Sequence, residues 1–166
     1  MRNDRLHISE VPMEFGSIER EIYVEAAPDL VYDVVSSPEH LREWWPDEIE
    51  LDPTPGGRGR LTFGREGEPG AVVVPMTVVE AERPHRFSFR WAYEQGEVAS
   101  PTNSYLATFE LSPSGTGTLL RLTETGFRER GWEAAVLEER YQQNVVGWDH
   151  FLPRLVSYAE RLGSTR

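Results

Sequence analysis

The chain has 166 residues, a net charge of −11, 39% hydrophobic and 11% aromatic residues, enough for one core in one domain. The negative field opposes binding to phosphate backbones and anionic lipid, so neither nucleic acid nor a membrane surface is an expected partner. The absence of cysteine excludes disulfides, a thiolate nucleophile and thiolate metal sites.

No apolar run approaches the roughly 18 residues of a membrane span, and MRNDRLHISEVPMEF lacks the apolar centre of a signal peptide. The cytoplasm is therefore the expected compartment. Residues 1–16 carry no firm period and read as an arm or a short extra strand. From Ser17 to Glu25, Ile18, Ile22 and Val24 alternate with glutamates, the pattern of a half-exposed strand. Ala27-Pro28-Asp29 opens a helix, with Pro28 at its first position and Asp29 at the positive end of its dipole. Ser37-Pro38-Glu39 restarts the chain as a second short helix capped by Ser37, which ends at Trp44-Trp45-Pro46.

Short strands are expected at Glu48–Leu51 and Arg58–Phe63, separated by a turn rich in proline and glycine. In the valine-rich run from Ala71 to Glu80, Pro75 implies an edge position or a bulge. Arg86 to Tyr93 places Phe87, Phe89, Trp91 and Tyr93 on one face, and Arg90 opposite as a surface charge. Tyr105, Ala107, Phe109 and Leu111 alternate again, Ser112 to Gly117 reads as a turn, and Leu119 to Thr125 is the last strand.

The longest element is Glu133 to Leu162, a helix of roughly 45 Å. Ala134, Leu137, Tyr141, Val145, Trp148, Leu152, Leu155 and Ala159 form its apolar stripe. Pro153 within it removes a hydrogen bond to Asp149 and predicts a bend. Strand, two short helices, a run of antiparallel strands and a long helix together describe an α+β fold, with helices on one face of a six- to seven-stranded sheet. Accumulated twist curves such a sheet and leaves a hollow against the helix. Phe63, Phe87, Phe89, Trp91, Tyr105, Phe109, Tyr141 and Trp148 are expected to line it.

Several stretches resemble the START-related (SRPBCC) superfamily, which includes polyketide cyclases and the birch-pollen allergen fold. Within it they are most similar to the group named after the heat-shock protein 90 ATPase activator (Aha-like). The carrying residues are Glu19-Arg20-Glu21-Ile22, Ala27-Pro28-Asp29-Leu30-Val31-Tyr32 and Ser37-Pro38-Glu39-His40-Leu41-Arg42-Glu43-Trp44-Trp45. Arg86 to Trp91, Leu122 to Phe127, Gly147-Trp148 and Leu152 to Tyr158 continue the match, which spans residues 17–162 and leaves 163–166 as a tail. The resemblance implies a helix-grip fold with a deep pocket for apolar molecules. It does not select among carriers, cyclases, hydrolases and co-chaperone domains. The co-chaperone that names the group has two domains as a family pattern, and 166 residues are expected to hold only one of them.

Glu124 is the candidate for chemistry. Alternation puts it on the inward face with Leu120 and Leu122, where desolvation would raise its pKa and suit it to act as acid, base or ligand anchor. Against this stands a position near the strand end, reaching water or an arginine. Trp44 and Trp45 either gate the hollow or plug it, and Tyr105 and Tyr141 either offer hydroxyls to a ligand or pack as core. His7, His40, His85 and His150 lack metal-ligand spacing; His40 is expected to pair with Glu43. The glycines near Gly56 lack a P-loop lysine and serine, so no cofactor is expected.

The leading expectation is a protein that binds a small hydrophobic or aromatic molecule between sheet and long helix. An enzyme of the cyclase or hydrolase type using Glu124 comes second. A co-chaperone-like domain comes third, with a protein partner or a second copy of itself.

Overall fold

The computed structural model describes residues 15–94, 96 and 98–165. Most of the expected arm, residues 1–14 including His7, lies outside the described residues. The elements run β1 (Ile18–Val24), α1 (Pro28–Ser36), α2 (Pro38–Trp44), β2 (Glu48–Leu51) and β3 (Arg58–Phe63). They continue as β4 (Val72–Glu82), β5 (Arg86–Ala92), β6 (Ser104–Ser114), β7 (Gly117–Thr125) and α3 (Ala134–Ser164). All seven strands join one curved, open antiparallel sheet in the order β1-β7-β6-β5-β4-β3-β2. The consecutive strands β1 and β2 thus form opposite edges, and α1 and α2 carry the chain between them. With α3 held by the curved sheet, this is the helix-grip architecture.

Local chemistry accounts for most boundaries. Pro28 and Pro38 each occupy the start of a helix, where a missing N–H breaks no hydrogen bond. Ser37 is the residue before α2 in extended conformation, but its side chain makes no capping bond. The turn expected over Ser112–Gly117 shrinks to two residues, because the β6–β7 ladder continues to the pair Ser114↔Gly117 and Gly115 takes a left-handed φ of 58°.

The proline in β4 has a different explanation from the one expected. β4 is an interior strand, and its bulge lies between Val78 and Glu80, away from Pro75. Pro75 pairs with Arg60 of β3, while the ladder to β5 begins only at Met76↔Trp91, so no rung is broken on that side.

Helix α3 buries Leu137, Trp148, Leu152, Leu155 and Ala159, with Tyr141 and Val145 half-buried. Ala134, expected on this stripe, is exposed, since the helix starts there and first meets the core one turn later at Leu137. It continues past Pro153, which is exposed, to Ser164, so the expected tail is largely helix. Beneath α1 and α2 the hollow is filled. Trp44 meets Phe109 edge-on at 6.3 Å, Phe89 lies 6.5 Å from Phe109 and 6.0 Å from Phe87, and Tyr32 closes on Phe87 at 6.1 Å. The remaining space lies nearer the middle of α3.

Candidate functional site

Strand register places Glu124 in the centre of an apolar row. It pairs with Ile18 of β1 on one side and Ala107 of β6 on the other, and Ala107 in turn pairs with Phe89 of β5. Its neighbours Leu120 and Leu122 on β7 point the same way and are buried, as alternation requires. Glu124 itself is fully buried, with 0% exposure. It reaches neither water nor an arginine; all its hydrogen-bond partners are neutral. Trp148 Nε1 and Asn144 Nδ2 of α3 donate to Oε1 at 2.8 and 2.9 Å, and Trp91 Nε1 of β5 donates to Oε2 at 2.7 Å.

Trp91 makes this bond across β6, where the residue opposite Glu124 is Ala107, whose lone methyl leaves room for an indole. Asn144 and Trp148 are four residues apart and share a helix face, so both reach the same oxygen. Burial pushes the Glu124 pKa up to about 7 from an ordinary 4.5, against the pull of the bonds from Trp148, Asn144 and Trp91.

In front of these three donors lies a cavity of about 80 Å³. Trp45, Phe63, Trp91, Trp148 and Phe151 supply its aromatic walls, and Gln143, Asn144 and Gly147 complete the helix side. Trp45 is near-parallel to Trp148 (5.2 Å, 30°) and perpendicular to Trp91 (5.4 Å, 79°), while Trp91 and Trp148 cross at 77°. Phe63 stands edge-on to Trp45 at 6.2 Å and faces Phe151 at 6.3 Å. Glu124 does not touch this space; Trp91, Asn144 and Trp148 stand between.

The tryptophan pair separates by role. Trp44, last in α2, points into the core and donates its indole N–H to the Val34 carbonyl at 2.9 Å. Trp45, just past the helix, swings onto the cavity wall and is only 5% exposed.

Of the other expected lining residues, Phe63, Trp91 and Trp148 border the cavity, while Phe87, Phe89 and Phe109 are packed within the core at 0% exposure. Tyr105 lies beside the site, 5.4 Å from Trp91 and 4.9 Å from Phe127, and burial pushes its hydroxyl pKa up to about 12. Tyr141 donates its hydroxyl to the Ser17 carbonyl at 2.7 Å. Gln143, Asn144, Gly147 and Phe151 were absent from the expected site. Asn144 left one signal, a carboxamide one helical turn before Trp148 on the apolar stripe.

Arg90 is half-buried and bonds Ser104 Oγ at 3.4 Å, so it is not a freely solvated charge. His40 pairs through Nδ1 with the Tyr158 hydroxyl at 2.7 Å, where Glu43 was expected. Glu43 instead lies 4.0 Å from Arg42. Among the described residues no group of three or more histidine, aspartate or glutamate side chains is placed to hold a metal ion. Among the described residues, larger hollows include open grooves at the surface, such as one of about 500 Å³ between β1 and α3 lined by Ile22, Tyr23 and Leu152. No described helix is long and apolar enough to cross a membrane.

Comparison with known proteins adds three findings. The family model described as Activator of Hsp90 ATPase homolog 1-like protein matches residues 25–160. No curated protein matches the sequence. Among solved structures, protein MLL2253 from Mesorhizobium loti is similar at 22% identity and TM-score 0.68, over 87% of this chain and 97% of that one. The Aha1 dimer from Colwellia psychrerythraea gives 18% identity and TM-score 0.62, over 87% and 96%. DynU16, a protein of the dynemicin biosynthetic locus, gives 22% and 0.67, over 91% of this chain and 49% of that one.

Proposed function

The chain belongs to the family of Activator of Hsp90 ATPase homolog 1-like proteins, START-like in fold, and we propose that it is a cytoplasmic binding protein for a small apolar or aromatic molecule. One end of the ligand enters the aromatic cavity between sheet and α3. The observation that supports this reading is a fully buried carboxyl group, tied to two indoles and a carboxamide, directly behind an open space that those same indoles wall. Burying an unpaired ionisable group is costly; its use here is to hold Trp91 and Trp148 at fixed angles around the space. An acid or base must come within hydrogen-bond reach of the reacting group, and Glu124 is screened from the cavity by its own donors. The proposal therefore makes it a positioning residue.

Size sets the affinity. Sites for drug-sized ligands run to roughly 300–1,000 Å³, so about 80 Å³ receives an end group and the remainder lies across the mouth between Gln143 and Phe151. At about 25 cal/mol per Å², burying roughly 100 Å² of ligand carbon contributes about 2.5 kcal/mol, which alone gives weak binding. Native mass spectrometry of the purified protein, followed by thermal-shift screening with apolar and aromatic metabolites, tests the reading. A co-purified small molecule, or a melting point raised in proportion to ligand, is expected. A bare protein that no compound shifts would overturn it.

A further inference from the structure

We infer that the end group this cavity accepts is a methylated ammonium cation, such as the trimethylammonium head of a small metabolite. This deepens the binding reading above and rests on it. Three features of the walls converge on a cation.

The first is shape. Trp91 crosses Trp45 and Trp148 at 79° and 77°. The three indoles pack on one another at centroid separations of 5.2 to 6.5 Å and meet the space as a corner, which suits a small round guest, rather than as two parallel faces held apart for a flat ring. Indole is the strongest of the aromatic side chains as a partner for a cation, and quaternary ammonium groups are recognised by cages of such rings. A space of about 80 Å³ suits a head of a few methyl groups.

The second is hydrogen bonding. The indole N–H groups of Trp91 and Trp148, and one N–H of the Asn144 carboxamide, are directed at Glu124, away from the cavity. A ligand carbonyl or carboxylate set against the indole walls would lose its water there and meet neither indole N–H, which is unfavourable for a polar acceptor. A fully methylated ammonium has no hydrogen bond to lose.

The third is charge. Each hydrogen-bond partner of the Glu124 carboxyl is neutral, so the negative charge it carries when ionised, relayed through two indole N–H bonds, has no counterpart among them. A cation in front of those indoles supplies one, and the chain's net charge of −11 draws cations toward the mouth. Phe151, one of the aromatic walls, already has the Arg154 guanidinium 5.8 Å from its ring.

The experiment compares choline with 3,3-dimethylbutan-1-ol, its neutral isostere of the same shape, by calorimetry and tryptophan fluorescence on the intact protein. Choline is expected to bind about five- to thirtyfold more tightly, the range of a partly desolvated cation–π contact. Equal or tighter binding of the neutral alcohol would overturn the cation inference and leave the binding reading standing. So would failure of both compounds alongside a thermal shift with some other apolar molecule. Failure of every compound, with a bare native mass spectrum, would remove the binding reading as well. Trp45→Leu should abolish the preference for choline. Because Trp45 is well packed, Phe151→Leu at the half-exposed rim provides a second variant, expected to fold and to lower the preference severalfold. Unchanged selectivity in a folded Phe151→Leu protein, as in Trp45→Leu, would count against the cage.

Discussion

Substituting Glu124→Gln should convert a pH-dependent stability into a flatter one. Glu124 binds its proton more tightly when folded, with the pKa raised from 4.5 to about 7, so protonation favours the native state. That contribution is complete below pH 4.5 and is lost as pH rises through 7. At 1.36 kcal/mol per tenfold change in proton affinity, the full swing is about 3 kcal/mol, of which about 2.5 falls between pH 5 and 8. The glutamine keeps the shape, and its carbonyl can accept from Trp148 and Asn144, but its amide nitrogen cannot accept from Trp91 Nε1. That indole N–H is left unpaired, at a cost of about 1–3 kcal/mol. The variant should therefore be less stable than wild type at pH 5 by about that amount. The gap should close by about 2.5 kcal/mol by pH 8. Urea unfolding followed by tryptophan fluorescence at pH 5, 6, 7 and 8 measures it, and a midpoint change of about 1 M is resolvable. A gap that does not vary with pH would refute the reasoning, because it would mean that the three N–H bonds outweigh burial and keep the carboxyl ionised throughout.

Three further outcomes follow from the packing. Trp44→Phe removes the bond to the Val34 carbonyl within a fully buried site and should cost about 2 kcal/mol, seen by calorimetry as a melting point lowered by about 4–8 °C. Gly126→Ala should destabilise by about 2 kcal/mol or more, since φ there is +104° and a Cβ would lie 2.5 Å from the Ser104 carbonyl oxygen; Gly115→Ala, left-handed but in open space, should cost about half as much. Paired urea titrations distinguish the two. Arg86→Ala breaks ion pairs with Glu80 and Glu110 at 2.9 and 2.7 Å, yet all three side chains are more than a third exposed, so the loss should stay under about 1 kcal/mol and shrink further in high salt.

Periodicity in the chain was enough to specify the element order, the α+β class and the inward face of each main strand, because the repeats of 2 and 3.6 residues are properties of the backbone itself. The inward placement of Glu124 was legible for that reason: Leu120, Leu122 and Glu124 can only share a face. Alternation also marked Phe87, Phe89 and Phe109 as buried, but it carries no information about whether a buried ring meets another ring or an empty space. That depended on how α1 and α2 lie over the sheet, which sent Trp44 into the core and left Trp45 on the wall.

The identity of Glu124's partners was decided only in three dimensions. Trp91, Asn144 and Trp148 lie between 20 and 33 residues away along the chain. They converge because β5 stands two strands from β7, Ala107 leaves a gap between them, and α3 crosses the opening. Distances set by sheet order and helix crossing have no local signature. For the same reason the sequence could put Glu124 on the inward face, while only the tertiary structure decided that Trp91, Asn144 and Trp148 are the side chains it meets there.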